Sequence, residues 1–214
     1  KRVTSRSAHT LAVHAGEEPD AATGALRLPI HMAVTYKLPG FGQRLFDALL
    51  MSSEKPPHAY ARWSNPTVRA LEDRLAALEA GQEERGGPRR RGPGVGCVAT
   101  ASGMAAVSAL LLSLLGKGDH VVSSEVCYAG SVELFGLHLP RWGIEVSLVD
   151  TSDVEQVRAA LRPNTRLVYV ETPANPILRI ADIAGLASSA HEAGALLAVD
   201  STWAGPSIQK PLAL

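Results

Sequence analysis

A few short stretches of this chain carry residue types that can hold an anion and a flat heteroaromatic ring. In Ala198-Val199-Asp200-Ser201-Thr202-Trp203 a carboxylate stands where the apolar run 194–199 stops. That run has the character of a buried strand, and in an open α/β sheet ligands lie outside the carboxyl ends of the strands. Asp200 therefore either faces a binding crevice or caps the next turn. In a crevice its charge would keep a pyridine nitrogen protonated. Ala101-Ser102-Gly103-Met104 leads into a helix rich in small residues, whose first N–H groups lack acceptors at the positive end of the dipole, which suits a phosphate. Gly103 lets the backbone approach an anion, and Ser102 caps the helix or donates its hydroxyl, although many such turns bind nothing.

Three further candidates surround these. Tyr128, in Cys127-Tyr128-Ala129-Gly130, either stacks on a planar ring or fills the core. In Glu171-Thr172-Pro173-Ala174-Asn175-Pro176 the two prolines stiffen a loop presenting Asn175, which either hydrogen-bonds a ring oxygen or is a plain turn residue. Tyr60 and Arg62 fall on one side of an extended segment, a hydroxyl and a guanidinium fork that suit a phosphate or sit idle on the surface.

The elements that must position these residues follow from periodicity. Beyond residue 95, apolar runs at 96–101, 120–123, 144–149, 166–170 and 194–199 alternate with helical patterns at 103–115, 131–142, 152–161 and 182–193. That alternation predicts βαβ units around a mostly parallel sheet flanked by helices, an α/β fold. Ser152 and Glu155 fit a capping box for the third helix. Residues 1–60 show scattered Gly and Pro with little periodicity and are expected to form an extended arm. Asn65-Pro66-Thr67 then opens a helix whose Val68, Leu71, Leu75 and Leu78 form an apolar stripe for core or subunit contact. The Gly/Pro-rich stretch 86–94, with Arg89, Arg90 and Arg91, is expected to be a solvated loop, because no aromatic residues interleave with its charge.

Composition narrows the function classes. The 214 residues include 46% hydrophobic and 20% charged, enough for one full core, and 21 basic residues balance 21 acidic ones. A neutral chain has no field to draw it to nucleic acid or an anionic membrane, and the apolar helix at 104–115 is too short to span a bilayer. Cys97 and Cys127 make neither a disulfide framework nor a metal site. No apolar leader follows Lys1-Arg2, so a cytoplasmic location is expected. A nucleotide-binding Rossmann domain is disfavoured, because no G-x-G-x-x-G follows the first strand.

Taken in order, Tyr60-Ala61-Arg62-Trp63-Ser64-Asn65-Pro66-Thr67, Ser102-Gly103-Met104-Ala105-Ala106, Gly118-Asp119-His120, Tyr128-Ala129-Gly130, Glu171-Thr172-Pro173-Ala174-Asn175-Pro176 and Asp200-Ser201-Thr202 resemble the trans-sulfuration, or Cys/Met-metabolism, family of pyridoxal-phosphate enzymes. The resemblance runs from about His9 to Leu214. It implies the large domain of the aspartate aminotransferase-like, type I fold over 61–214, incomplete, with 1–60 as an arm wrapping a partner. It implies that Ser102, Gly103 and Met104 bind the phosphate of pyridoxal 5′-phosphate and that Tyr128 stacks on the ring and assists as acid or base. Asp200 would pair with the ring nitrogen, with Asn175 beside the ring hydroxyl and Thr202 beside the ring. Tyr60 and Arg62 would reach the phosphate of a neighbouring subunit, which implies a homo-oligomer, dimer or tetramer, with shared active sites. No metal is implied. The chemistry implied is elimination or replacement at the β or γ carbon of sulfur amino acids or homoserine esters, of the cystathionine γ-synthase and γ-lyase type.

The chain also departs from the family. Asp200-Ser201-Thr202-Trp203 replaces the usual Asp-Asn-Thr-Phe, and the stretch around Arg89–Arg91 is longer than usual. Gly130 stands where methionine γ-lyases tend to carry cysteine, which speaks against methionine as the favoured substrate. The family's cofactor-bearing lysine, in Ser-x-Thr-Lys, is expected about two dozen residues past Asp200, beyond Leu214; Lys37, Lys55, Lys117 and Lys210 match no such motif. The sequence is thus expected to be the front portion of a longer enzyme and inactive by itself. Were it the whole product, it would be a scaffold or regulatory partner that keeps the fold without the lysine.

Overall fold

The structure is a computed structural model that describes residues 7–38, 42, 57–80 and 95–214. Its contacts divide the chain into two compact units, residues 1–99 and 100–212. The Arg89–Arg91 stretch lies outside the described residues.

The first unit is not wholly an extended arm up to residue 60, because it contains α1 (Ala8–His14). The Ser7 hydroxyl accepts the Thr10 N–H, and Leu11 and Ala15 are buried. Four apolar positions in so short a helix are too few for a clear period, which is why the pattern did not reveal it. The second helix, α2 (Pro66–Ala80), starts as predicted: Asn65 Oδ1 accepts the Thr67 N–H at 2.8 Å, and Pro66 fills the first turn. Gly16, at φ +75°, passes so close to α2 that a Cβ would collide with the Ala70 carbonyl. Ala70 is the buried residue of α2, whereas Val68, Leu71 and Leu75 of the predicted stripe are exposed. An antiparallel bridge joins Thr35 to Tyr60.

The second unit holds a four-stranded, all-parallel sheet in the order β2-β1-β3-β4, formed by β1 (His120–Ser124), β2 (Glu145–Val149), β3 (Thr165–Glu171) and β4 (Leu196–Asp200). Four predicted strands are therefore present, and the fifth is not. Residues 95–100 form no strand, and the Ala99 N–H that a ladder would have used donates instead to Glu72 Oε1 at 3.0 Å. Helices cover both faces. The helix α3 (Gly103–Leu114) packs on one face with a continuous helical run made of α4 (Ala129–Glu133), a π-helical turn (Leu134–His138) and α5 (Leu139–Arg141). Val107, Leu111, Phe135, Leu139, Leu167 and Tyr169 form that core. On the other face α6 (Val154–Ala160) and α7 (Ile183–Glu192) cover Val122, Val168 and Val170 with Val157, Leu186 and Ala190. At α6 the cap differs from expectation. Asp153 rather than Ser152 accepts the Glu155 N–H, and Ser152 turns back to Asp150, because the nearer carboxylate is the better acceptor for a free helix end.

This winding matters for binding. From β1 the chain crosses one face to reach β2, then returns over the opposite face to β3. At the carboxyl ends of the neighbours β1 and β3 the chain therefore departs in opposite directions, which opens a crevice between them. Tyr128 follows β1, and Glu171 ends β3.

Candidate functional site

Helix α3 begins at that end of the sheet. Ser102 is its N-cap, with Oγ accepting the Ala105 N–H at 3.1 Å. This uses one lone pair of the Ser102 hydroxyl on the helix, while the N–H groups of Gly103 and Met104, at the first two helical positions, have no intrahelical acceptor. Nothing lies within 4 Å of where a Cβ on Gly103 would be, so an anion can reach the backbone there.

Tyr128 is half-exposed, so it is not a core residue. Its ring lies over Gly130, where a Cβ would be 2.8 Å from Tyr128 Cε1 and 3.1 Å from Met104 Sδ. The glycine thereby allows the tyrosine ring to settle beside the start of α3. Ser131 Oγ, at 3.8 Å from Met104 Sδ, ties the same two elements.

Glu171, to which no sequence motif assigns a role of its own, links Tyr128 to the loop that follows β3. Buried to 3% exposure, it accepts the Tyr128 N–H on Oε2 at 2.8 Å and the Asn175 N–H on Oε1 at 2.7 Å. A buried carboxylate needs such donors, and here they fix the two residues predicted to flank a ring. The Asn175 side-chain amide has no partner among the described residues and is half-buried. The register places Glu171 beside Asp200 on the neighbouring strand.

Asp200 ends β4, half-buried, with both oxygens engaged. Oδ1 accepts the N–H of Thr202 at 3.1 Å and its hydroxyl at 2.5 Å; Oδ2 accepts the Tyr169 hydroxyl at 2.9 Å. Asp200 does cap the next turn, through Thr202, and still retains a lone pair on Oδ2. Two neighbours register this negative end of the sheet. Burial, then the Asp200 charge, pushes the Tyr169 phenol above its ordinary range. Burial, with Glu171 and Asp200, pushes the Cys127 thiol up to about 12. Tyr169 was missed because a tyrosine within Leu167-Val168-Tyr169-Val170 looks like core, and its polar tip was the only signal.

The second unit therefore brings Gly103, Met104, Tyr128, Asn175, Asp200 and Thr202 to one end of the sheet through linked contacts. Tyr60 and Arg62 belong to the first unit, where the guanidinium lies 4.7 Å above the Tyr60 ring and Trp63 meets that ring edge-on. A separate groove beside the site is lined by Ser124, Glu125, Asp150, Glu171 and Arg179, and none of the nine predicted residues lines it. Among the described residues, no cluster of three or more His, Cys, Asp or Glu could hold a metal, and no helix is long and apolar enough to cross a membrane.

The model of the Cys/Met metabolism PLP-dependent enzymes matches residues 9–214. The chain belongs to this family. Its relatives include an O-succinylhomoserine sulfhydrylase of Pseudomonas aeruginosa, 42% identical over 78% of this chain and 38% of that protein. A cystathionine gamma-lyase of Bacillus subtilis is 40% identical over 96% of this chain and 48% of the relative. Among solved structures, a cystathionine gamma-lyase from Lactobacillus plantarum complexed with L-serine superposes with TM-score 0.81 at 35% identity, over 97% of this chain and 48% of that one. The chain thus spans about half the length of such relatives, or less. Pyridoxal phosphate is the family's cofactor, and the donor set fits it: unpaired N–H groups at a helix start, an exposed aromatic face, a free amide and an anion.

Proposed function

We propose that this chain forms the cofactor-binding front of an enzyme that performs elimination or replacement at the β or γ carbon of sulfur amino acids or homoserine esters. The observation that carries this reading is the meeting of Met104, Tyr128 and Gly130 at one end of the sheet, with Asp200 at the end of β4 two strands away. Bound there, the cofactor supplies an electron sink for charge developing at the substrate's α carbon.

The chain's own residues divide the work. Gly103 and Met104 donate backbone N–H groups to the phosphate, helped by the α3 dipole. Tyr128 lays its ring on the pyridine face, and its phenol, with no partner among the described residues, exchanges protons with the substrate. Asn175 donates its amide to the ring hydroxyl, and Asp200 accepts the ring N–H. Thr202 fixes the Asp200 carboxylate through Oδ1. Tyr60 and Arg62 serve the phosphate of a second copy, so the active form is a homo-oligomer with shared sites, and the exposed Val68, Leu71 and Leu75 suit such a contact. Residues 61–214 belong to the cofactor domain, and the enzyme works in the cytoplasm.

The test is a substrate panel on the full-length enzyme loaded with pyridoxal phosphate, comparing cystathionine, methionine, cysteine and acylated homoserines. Release of ammonia and a keto acid, or thiol-dependent replacement, from at least one of them is expected, with methionine disfavoured. Cofactor bound tightly with no turnover of any of them would contradict the enzymatic reading.

A further inference from the structure

Tyr169 is the one polar side chain among the large residues filling the core between the sheet and α3. It is 2% exposed, its ring sits 5.0 Å from that of Phe135, and strand alternation puts it on the same face as Leu167 and Glu171. Packing alone would be served equally by phenylalanine. The hydroxyl instead runs toward the carboxyl end of the sheet and donates to Asp200 Oδ2 at 2.9 Å.

That bond completes a pattern. A carboxylate offers about four acceptor positions. Thr202 takes two on Oδ1 and Tyr169 takes one on Oδ2, so a single position remains. The carboxylate plane is fixed by donors on both oxygens. Because burial and the neighbouring charge push the Tyr169 phenol upward, it remains protonated and acts toward Asp200 as a donor.

We propose that Tyr169 is a positioning residue that aims the last free lone pair of Asp200 at a protonated ring nitrogen, making the site selective for a pyridine over a benzene ring. This rests on the coenzyme reading above. Phosphorylated ligands that need no lysine isolate the effect: pyridoxine 5′-phosphate, and its carbocyclic analogue in which C–H replaces the ring nitrogen.

Binding of both is measured calorimetrically for the wild-type protein and for Tyr169→Phe, whose melting temperature reports whether the core is intact. The wild type is expected to prefer the pyridine. Tyr169→Phe is expected to lose about tenfold in affinity for it, the worth of a hydrogen bond to a charged group, with affinity for the analogue unchanged. Should Tyr169→Phe not fold, Thr202→Val removes a donor from the other oxygen, and the same selective loss is expected. Equal loss for both ligands, or no loss for either, overturns the inference while leaving coenzyme binding standing. A wild-type protein that binds neither ligand overturns the coenzyme reading and the inference together.

Discussion

At Gly130 a single methyl group would meet the Tyr128 ring at 2.8 Å and Met104 Sδ at 3.1 Å. Gly130→Ala is therefore expected to swing the ring off its seat and weaken pyridoxine 5′-phosphate binding about tenfold while lowering stability by less than about 1 kcal/mol, since both neighbours are side chains able to give way. Calorimetric titration beside a thermal melt checks this. Cys127 gives a second expectation. Its thiol is buried and pushed up to about 12, so almost no thiolate exists at pH 8. Iodoacetamide should leave Cys127 unmodified in the native protein and label it once urea unfolds the chain, as peptide mass mapping would show. Much of the site was legible at this scale: Asp200 at a strand end, Tyr128 before a helix and Gly103 at a helix start all announce themselves by type and place. Glu171 and Tyr169 did not, because their roles lie in the hydrogen bonds they accept or donate to other site residues, and no local pattern encodes a bond spanning 31 or 43 positions.

Among the elements, helix starts carry the argument. Asp182 caps α7 by accepting the Gly185 N–H at 3.1 Å, and Ser102 caps α3 in the same way. Asp182→Ala should cost about 1 kcal/mol by urea denaturation without touching ligand affinity. Ser102→Ala should cost a similar amount and also weaken phosphate binding, because the N–H groups that fray are those proposed to hold the anion. The strands of the second unit could be read from runs such as Arg166-Leu167-Val168-Tyr169-Val170, since a parallel strand buried on both faces is apolar throughout. The same reasoning produced a false strand at 96–101. Apolar composition reports burial potential, and only pairing makes a strand; the Ala99 N–H pairs with Glu72 instead. At α6 the cap slipped by one residue because Ser152 and Asp153 compete and the carboxylate wins.

Over the whole molecule, the doubly covered sheet buries His120 at the amino end of β1, the end opposite the crevice, with its ring nitrogens on Thr165 and Ser147. Burial, then the Arg162 charge, holds this histidine below its ordinary value, against a smaller upward pull from Glu145. His58 is lowered too, chiefly by burial. Groups whose folded pKa is depressed bind protons more readily when unfolded. Their contribution to stability is present above about pH 6.5 and is lost as pH falls toward their folded values. Urea midpoints should accordingly drop between pH 7 and pH 5, and His120→Gln, which keeps hydrogen-bonding capacity without the charge, should flatten that slope. The turns after β1, β3 and β4 and the start of α3 are proposed to converge on one coenzyme. Calorimetric titration of the wild-type protein and of Asp200→Ala with pyridoxal 5′-phosphate decides whether they do. Saturable one-to-one binding is expected, falling by at least about tenfold in the variant while its melting temperature holds; equal affinity in both proteins, or no binding by the wild type, would refute the convergence.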